Sequence, residues 1–137
     1  MIIGITRGTT KYHIIRATLE SMAYQTYDVV DLMQRTTGVT LKKLKVDGGA
    51  SANNLLMQFQ SDILAIDIER PQCVETTALG AAYLAGLALG VYESTDEIRK
   101  NAVLERSFYP TMEAEEREAK IRTWRRAVER SLVWNEQ

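Results

Sequence analysis

Two adjacent glycines, set between an alternating apolar segment and a polar helix start, are the residues of this chain with the clearest chemical use. In Leu44-Lys45-Val46-Asp47-Gly48-Gly49-Ala50-Ser51-Ala52-Asn53-Asn54 a short strand meets Gly48-Gly49, and a helix is expected to open at Ser51. Glycine at successive positions permits positive φ and close backbone approach. The first amide N–H groups of a helix are unpaired and carry partial positive charge. A phosphate fits such a corner. Asn53, expected in the first helical turn, brings a side-chain amide that both donates and accepts hydrogen bonds. The same pattern also makes an ordinary tight βα connection, so the residues alone leave both readings standing.

The other chemically capable residues give less. Gly4 to Lys11 looks like a phosphate loop, but Gly-x-x-x-x-Gly-Lys-Ser/Thr needs the lysine directly after the second glycine, and Lys11 comes after Gly8-Thr9-Thr10 with no hydroxyl behind it. Gly8 there ends an extended segment, and Thr9 or Thr10 caps a helix. His13 has no cysteine, histidine or carboxylate at ligand spacing and reads as structural. Glu75 and Thr76 stand at a helix start, where an acid and a hydroxyl serve first as a cap. Lys120, Arg122, Arg125, Arg126 and Arg130 lack interleaved aromatics and read as a salt-bridged face, not a nucleic-acid patch.

The elements that position these residues follow from periodicity. Met1–Ile5 reads as a short strand. From Lys11 to Arg35, Ile15, Leu19, Met22, Val29 and Met33 form a helical stripe, widened by Ile14, Tyr24 and Val30; Gly38 closes the helix, which is expected to lie across a sheet. Leu41–Val46 is a strand with Leu44 and Val46 inward. A helix from Ser51 to Leu64 buries Leu55, Leu56, Phe59, Ile63 and Leu64, with Gln58, Gln60 and Asp62 facing elsewhere. Ile66–Pro71 alternates as a second strand. Strand, helix and strand make a βαβ unit with parallel strands and a right-handed crossover. Ligands of such sheets sit beyond the carboxyl ends of the strands, where Asp47–Asn53 falls.

Glu75 to Gly90 reads as a buried helix with small residues on one side, Gly80 and Gly86 there for packing more than for ligand approach. Asp96–Lys100 is a short helix and Glu105–Pro110 an extended segment. A last helix runs from about Glu113 to Trp134, with Ile121, Trp124, Val128 and Leu132 inward and acids preceding bases along the dipole.

The chain has 137 residues, suited to one domain, with 45% hydrophobic residues and a net charge of −1. That balance gives no field to draw nucleic acid or anionic lipid. The apolar run Thr77–Val91 is too short for a membrane span. A single cysteine, Cys73, excludes an internal disulfide framework and favours a cytoplasmic setting, and Met1-Ile2-Ile3-Gly4 lacks the features of a signal peptide.

Taken together, the segments resemble the carboxy-terminal part of the glycerol kinases, carbohydrate kinases that share the ribonuclease-H-like fold of actin and hexokinase. The residues that carry the likeness are Gly4-Ile-Thr-Arg-Gly8, His13 to Ser21, Val46-Asp-Gly-Gly-Ala50 with Asn53-Asn54, Leu56 to Leu64, Glu69-Arg-Pro71 and Thr77 to Gly86. The block Leu56–Leu64 points to the glycerol branch rather than to xylulose or gluconate kinases. The resemblance implies an α/β, helix-rich fold with a small, partly parallel sheet, residues 1–137 forming part of a nucleotide-binding domain. It implies that Gly49 packs against the phosphates of ATP or ADP and Asn53 reaches the adenine, with Gly48 and Asp47 shaping the turn. It also implies Mg²⁺, held mostly outside this chain. The phosphate loop, polyol pocket and general base of the family have no match here. The chain is therefore expected to be a fragment that pairs with an amino-terminal domain and is inactive toward glycerol by itself. Another polyol or sugar kinase, or a non-catalytic module that self-associates, are the competing expectations. A dinucleotide-binding oxidoreductase fits poorly, since Gly48-Gly49 is not Gly-x-Gly-x-x-Gly.

Overall fold

Alternation of Ile66, Ile68 and Arg70 with Asp67 and Glu69 turns one face of that segment inward. In the computed structural model, which describes residues 1–101 and 103–132, the segment is the middle of a three-stranded sheet. The strands are β1 (Lys43–Lys45), β2 (Asp67–Pro71) and β3 (Leu104–Phe108), in the order β1-β2-β3. β1 runs parallel to β2 with Leu44 opposite Ile68, as a βαβ unit requires. The extended segment expected after Glu105 is β3, antiparallel to β2 with Phe108 opposite Ile68. Its register slips between Arg70 and Pro71, where proline has no N–H to give the ladder. Ile68 is wholly buried, and Ile66 and Phe108 join it in the core. Met1–Ile5 is not a strand: both edges of the sheet run without it, and Met1, Ile2, Ile3 and Ile5 are exposed.

The first helix, α1, spans Lys11–Thr37. Its N-cap is Thr10, whose backbone N–H donates to His13 Nδ1 at 3.0 Å, and Gly38 ends it at φ 70°. The helix packs on α2 (Asn54–Leu64) and not across the sheet. Its inward line is also rotated from the expected one. Ala23 and Val30 are buried with Tyr24 and Tyr27 half-buried, whereas Ile15, Met22, Val29 and Met33 are exposed. Two apolar lines share this helix, and periodicity does not say which faces inward. The methyl of Ala23 lets α2 come close. Beside it Tyr24 meets the edge of Phe59 at 5.4 Å and stacks on Trp124 at 5.2 Å.

Wrapped by α1, by the sheet and by the closing helix α5 (Ala114–Leu132), α2 is buried almost all round. Leu56, Phe59 and Ile63 face inward as expected, and Met57 joins them, but Leu55 is exposed. Gln60 and Asp62, expected outside, are buried. Asp62 is tolerated there because its Oδ1 accepts the backbone N–H of Thr111 at 2.7 Å and of Met112 at 3.2 Å, and the Gln58 side-chain amide at 3.1 Å. The carboxylate thereby pins the turn that leads into α5. Within α5, Ile121 is buried and Trp124 and Val128 are half-buried, while Leu132 is exposed. Residues 133–137, into which the expected helix ran, lie outside the described residues. Trp124 Nε1 donates to Asp28 at 2.8 Å, and Arg125 pairs with Asp31 at 3.1 Å, tying α5 to α1.

Between them, α3 (Thr76–Ala88) and the short α4 (Thr95–Lys100) complete the chain. The expectation that α3 is buried fails: only Gly86 is, and Leu84 and Leu89 are 70% and 81% exposed. An apolar pattern on all sides normally marks a core helix, but no element among the described residues covers the outer face of α3. Gly86 does serve packing, since a Cβ there would stand 2.7 Å from the Tyr92 ring; Gly80 faces open space.

Candidate functional site

Beyond the carboxyl ends of β1 and β2, two loops meet. Gly48 donates its N–H to Val74 O at 2.7 Å, which stitches the β1 loop to the β2 loop. Gly48 holds φ +78°, a conformation that side chains resist. Gly49, expected to share that freedom, has no positive φ; what sets it apart is empty space, with nothing within 4 Å of where a Cβ would stand. Gly49, Ala50, Ala52 and Asn53 are all exposed, so the corner is open outward.

The helix does not open at Ser51. Gly49–Ala52 forms a 3₁₀ turn, and α2 begins at Asn54 with Asn53 as its N-cap. Ser51 cannot cap because it is buried and faces back: its N–H and Oγ both donate to Gly48 O, at 3.0 and 2.7 Å. Asn53 Oδ1 accepts the Leu56 N–H at 3.1 Å. The cap therefore uses the carbonyl half of this exposed side chain and leaves its Nδ2 amide N–H₂ as the donor half.

The acidic end of the corner is also committed. Asp47 accepts the hydroxyl of Thr76, the first residue of α3. Neither Glu75 nor Thr76 caps α3 with its side chain; Thr76 instead latches that helix to the glycine loop. From beneath, Arg70 Nη1 donates to Ser51 O at 2.7 Å, and its Nε and Nη2 grip the Glu105 carboxylate. That hydrogen bond, with the guanidinium charge, holds the Glu105 carboxyl below its usual range. The expected site residues Asp47, Gly48, Gly49 and Asn53 thus come together. Arg70 and Glu105 were missed and Thr76 was read only as a cap, although Arg70 at an inward position of β2 is a signal, since an arginine is almost never buried unpaired.

No cluster of three or more potential metal ligands stands among the described residues. None of the described helices is long and apolar enough to cross a membrane. A groove of about 820 Å³ lies away from the corner, between the N-terminal segment, α1 and α5, and Ile3, Ile14, Tyr24, Trp124 and Val128 make it chiefly apolar.

An α/β fold with an open backbone corner at the carboxyl edge of its parallel strands is the class this chain defines. The FGGY family of carbohydrate kinases, C-terminal domain, matches residues 1–89. The chain belongs to that family. It is 60% identical over 137 residues to a glycerol kinase of Caldanaerobacter subterraneus subsp. tengcongensis, covering 100% of this chain and 28% of that protein. It is 58% identical over 135 residues to a Clostridium botulinum glycerol kinase, covering 98% of this chain and 27% of the relative. The chain thus spans little more than a quarter of the relatives it matches. Among solved structures, Plasmodium falciparum glycerol kinase with ADP superimposes with a TM-score of 0.84 at 38% identity, over 96% of this chain and 26% of that one. A Lactobacillus acidophilus gluconate kinase, at 21% identity and TM-score 0.75, shares the fold over 98% of this chain and 27% of its own.

Proposed function

We propose that this chain forms the nucleotide side of an ATP-dependent glycerol kinase, which transfers the γ-phosphoryl group of ATP to glycerol. The observation that carries the reading is the open corner itself. Gly49 leaves its outer face free, Gly48 turns the backbone at φ +78°, and the capping of α2 takes Asn53 Oδ1, which leaves the amide N–H₂ of this exposed residue as a donor. Backbone amides in such a corner suit phosphate oxygens, and an amide N–H₂ suits a purine nitrogen. The glycerol kinase relatives at 58–60% identity favour this acceptor over other sugars. Asp47 is engaged by Thr76, so it shapes the loop and is assigned no proton transfer. Mg²⁺ would bridge the nucleotide phosphates and lower their charge during transfer; no ligand to it is assigned among the described residues. Base, polyol pocket and γ-phosphate donors belong to the larger part of the enzyme, and the setting is the cytoplasm.

Calorimetric titration of MgADP into the chain tests this. Weak but saturable heat is expected, because half of the cleft is elsewhere. No binding at millimolar MgADP would refute it. Glycerol phosphorylation by the 137-residue chain would overturn the division of labour. The bare apolar face of α3, with Leu84 and Leu89 outermost, favours a second role as a contact with the remainder of the enzyme or with another copy. A monomer at all concentrations in light scattering would remove the second of these.

A further inference from the structure

Arg70 is 5% exposed and reaches from β2 to the underside of the glycine corner. Its guanidinium is fully placed: Nη1 on Ser51 O at 2.7 Å, Nε and Nη2 on the Glu105 carboxylate of β3, and Cζ 5.3 Å from the Phe108 ring centre. Ser51 O is the only corner carbonyl this arginine takes, and the choice has a geometric result. A trans peptide is planar with its C=O and N–H opposed, and no cis peptide bond occurs among the described residues. Drawing Ser51 O inward therefore turns the Ala52 N–H away from Arg70, and sets the direction from which the chain enters Asn53. Ala52 and Asn53 are exposed, whereas Ser51 is buried at 2%.

We infer that Arg70, clamped by Glu105, is the positioning residue of the corner: without touching a ligand, it sets the Gly49–Asn53 turn in the form that presents Asn53 to a nucleotide. The inference rests on the nucleotide reading for its consequence, though the strut itself is testable without ligand. Glu105 is a suitable anchor because its side chain is half-exposed, so the carboxylate stays charged and the fork leaves no charge of Arg70 unmatched inside. Lysine could not replace Arg70, since one ammonium cannot hold a carboxylate with two prongs and a carbonyl with a third.

The test compares Arg70→Met, Arg70→Lys and Glu105→Gln in the 137-residue chain by amide hydrogen exchange and MgADP titration. The Ser51 and Asn53 amides, which close the turn on Gly48 O and Ala50 O, are the reporters; Val30 and Ile63 amides in the core helices are the controls. With a charge-assisted bond to the carbonyl lost, exchange at the two reporters should rise about ten-fold in Arg70→Met and Arg70→Lys. Glu105→Gln, a half-exposed change compatible with folding, should give a smaller rise confined to the same amides. MgADP affinity should fall in the same order. Reporters unchanged in Glu105→Gln and in whichever arginine variant folds, or reporters and controls rising equally, would overturn the inference. Wild-type chain that ignores MgADP would refute the nucleotide reading, while the exchange pattern still decides the strut.

Discussion

Asn53 holds two jobs that a single substitution can separate. Its Oδ1 caps α2 through the Leu56 N–H at 3.1 Å, and its Nδ2 is the group proposed to meet the adenine. Asn53→Ala removes both. Loss of an N-cap costs about 1 kcal/mol, which in a chain of 137 residues lowers the Tm by roughly 3–5 °C. Asn53→Ser keeps a capping oxygen but has no amine, so its Tm should stay within about 2 °C of wild type, since serine caps nearly as well as asparagine. One neutral hydrogen bond contributes about 1 kcal/mol, so both variants should bind MgADP about five-fold more weakly. The assay is thermal melting without and with MgADP, supported by calorimetry. Asn53→Ser with wild-type MgADP affinity would refute the adenine contact. Asn53→Ser as unstable as Asn53→Ala would refute the cap.

Further outcomes follow from the same geometry. Gly48→Ala should cost about 1–2 kcal/mol, because φ +78° forces a side chain into the left-handed region. Gly49→Ala, in open space, should melt within about 0.5 kcal/mol of wild type yet bind MgADP poorly, its methyl standing where a phosphate should lie; titration compares the two. Asp62→Ala should destabilise by about 3 kcal/mol in chemical denaturation, since two backbone N–H groups at the entry to α5 lose a charged acceptor. Burial, the largest cause, lifts the Tyr24 phenol from 10.0 to about 12. An unfolded chain ionises this group first, so its share of stability is present below pH 10 and is lost as pH rises toward 12. Phenolate absorbance against pH should show one late-titrating tyrosine that Tyr24→Phe removes.

Much of this architecture was legible in residue types. The alternation around Leu44 and Ile68 marked the parallel pair, Gly38 marked the end of α1, and Gly48-Gly49 marked the corner. Three things were hidden, each for a physical reason. Side-chain capping chemistry allows Ser51 and Asn53 equally, and only the burial of Ser51 beneath Arg70 passes the cap to Asn53. The inward face of α1 was misread because its contact with α2 uses Ala23 and aromatic rings in place of the larger aliphatics. Asp62 looked like a surface acid because its partners, Thr111 and Met112, lie some fifty positions along the chain. Long-range partners of this kind leave no local periodicity to read.

The closure of α5 on α1 orders events when the chain first acquires its shape. Trp124 stacks on Tyr24 and donates to Asp28, contacts that join residues ninety-six or more positions apart. During synthesis α1, β1, α2 and β2 are complete before Trp124 exists, so Tyr24 must wait with one face of its ring in water. Distant closures are slow, because loop entropy is lost before any contact repays it. Indole fluorescence from Trp124 would accordingly report the final docking event in refolding, after the circular dichroism of the earlier helices has already returned.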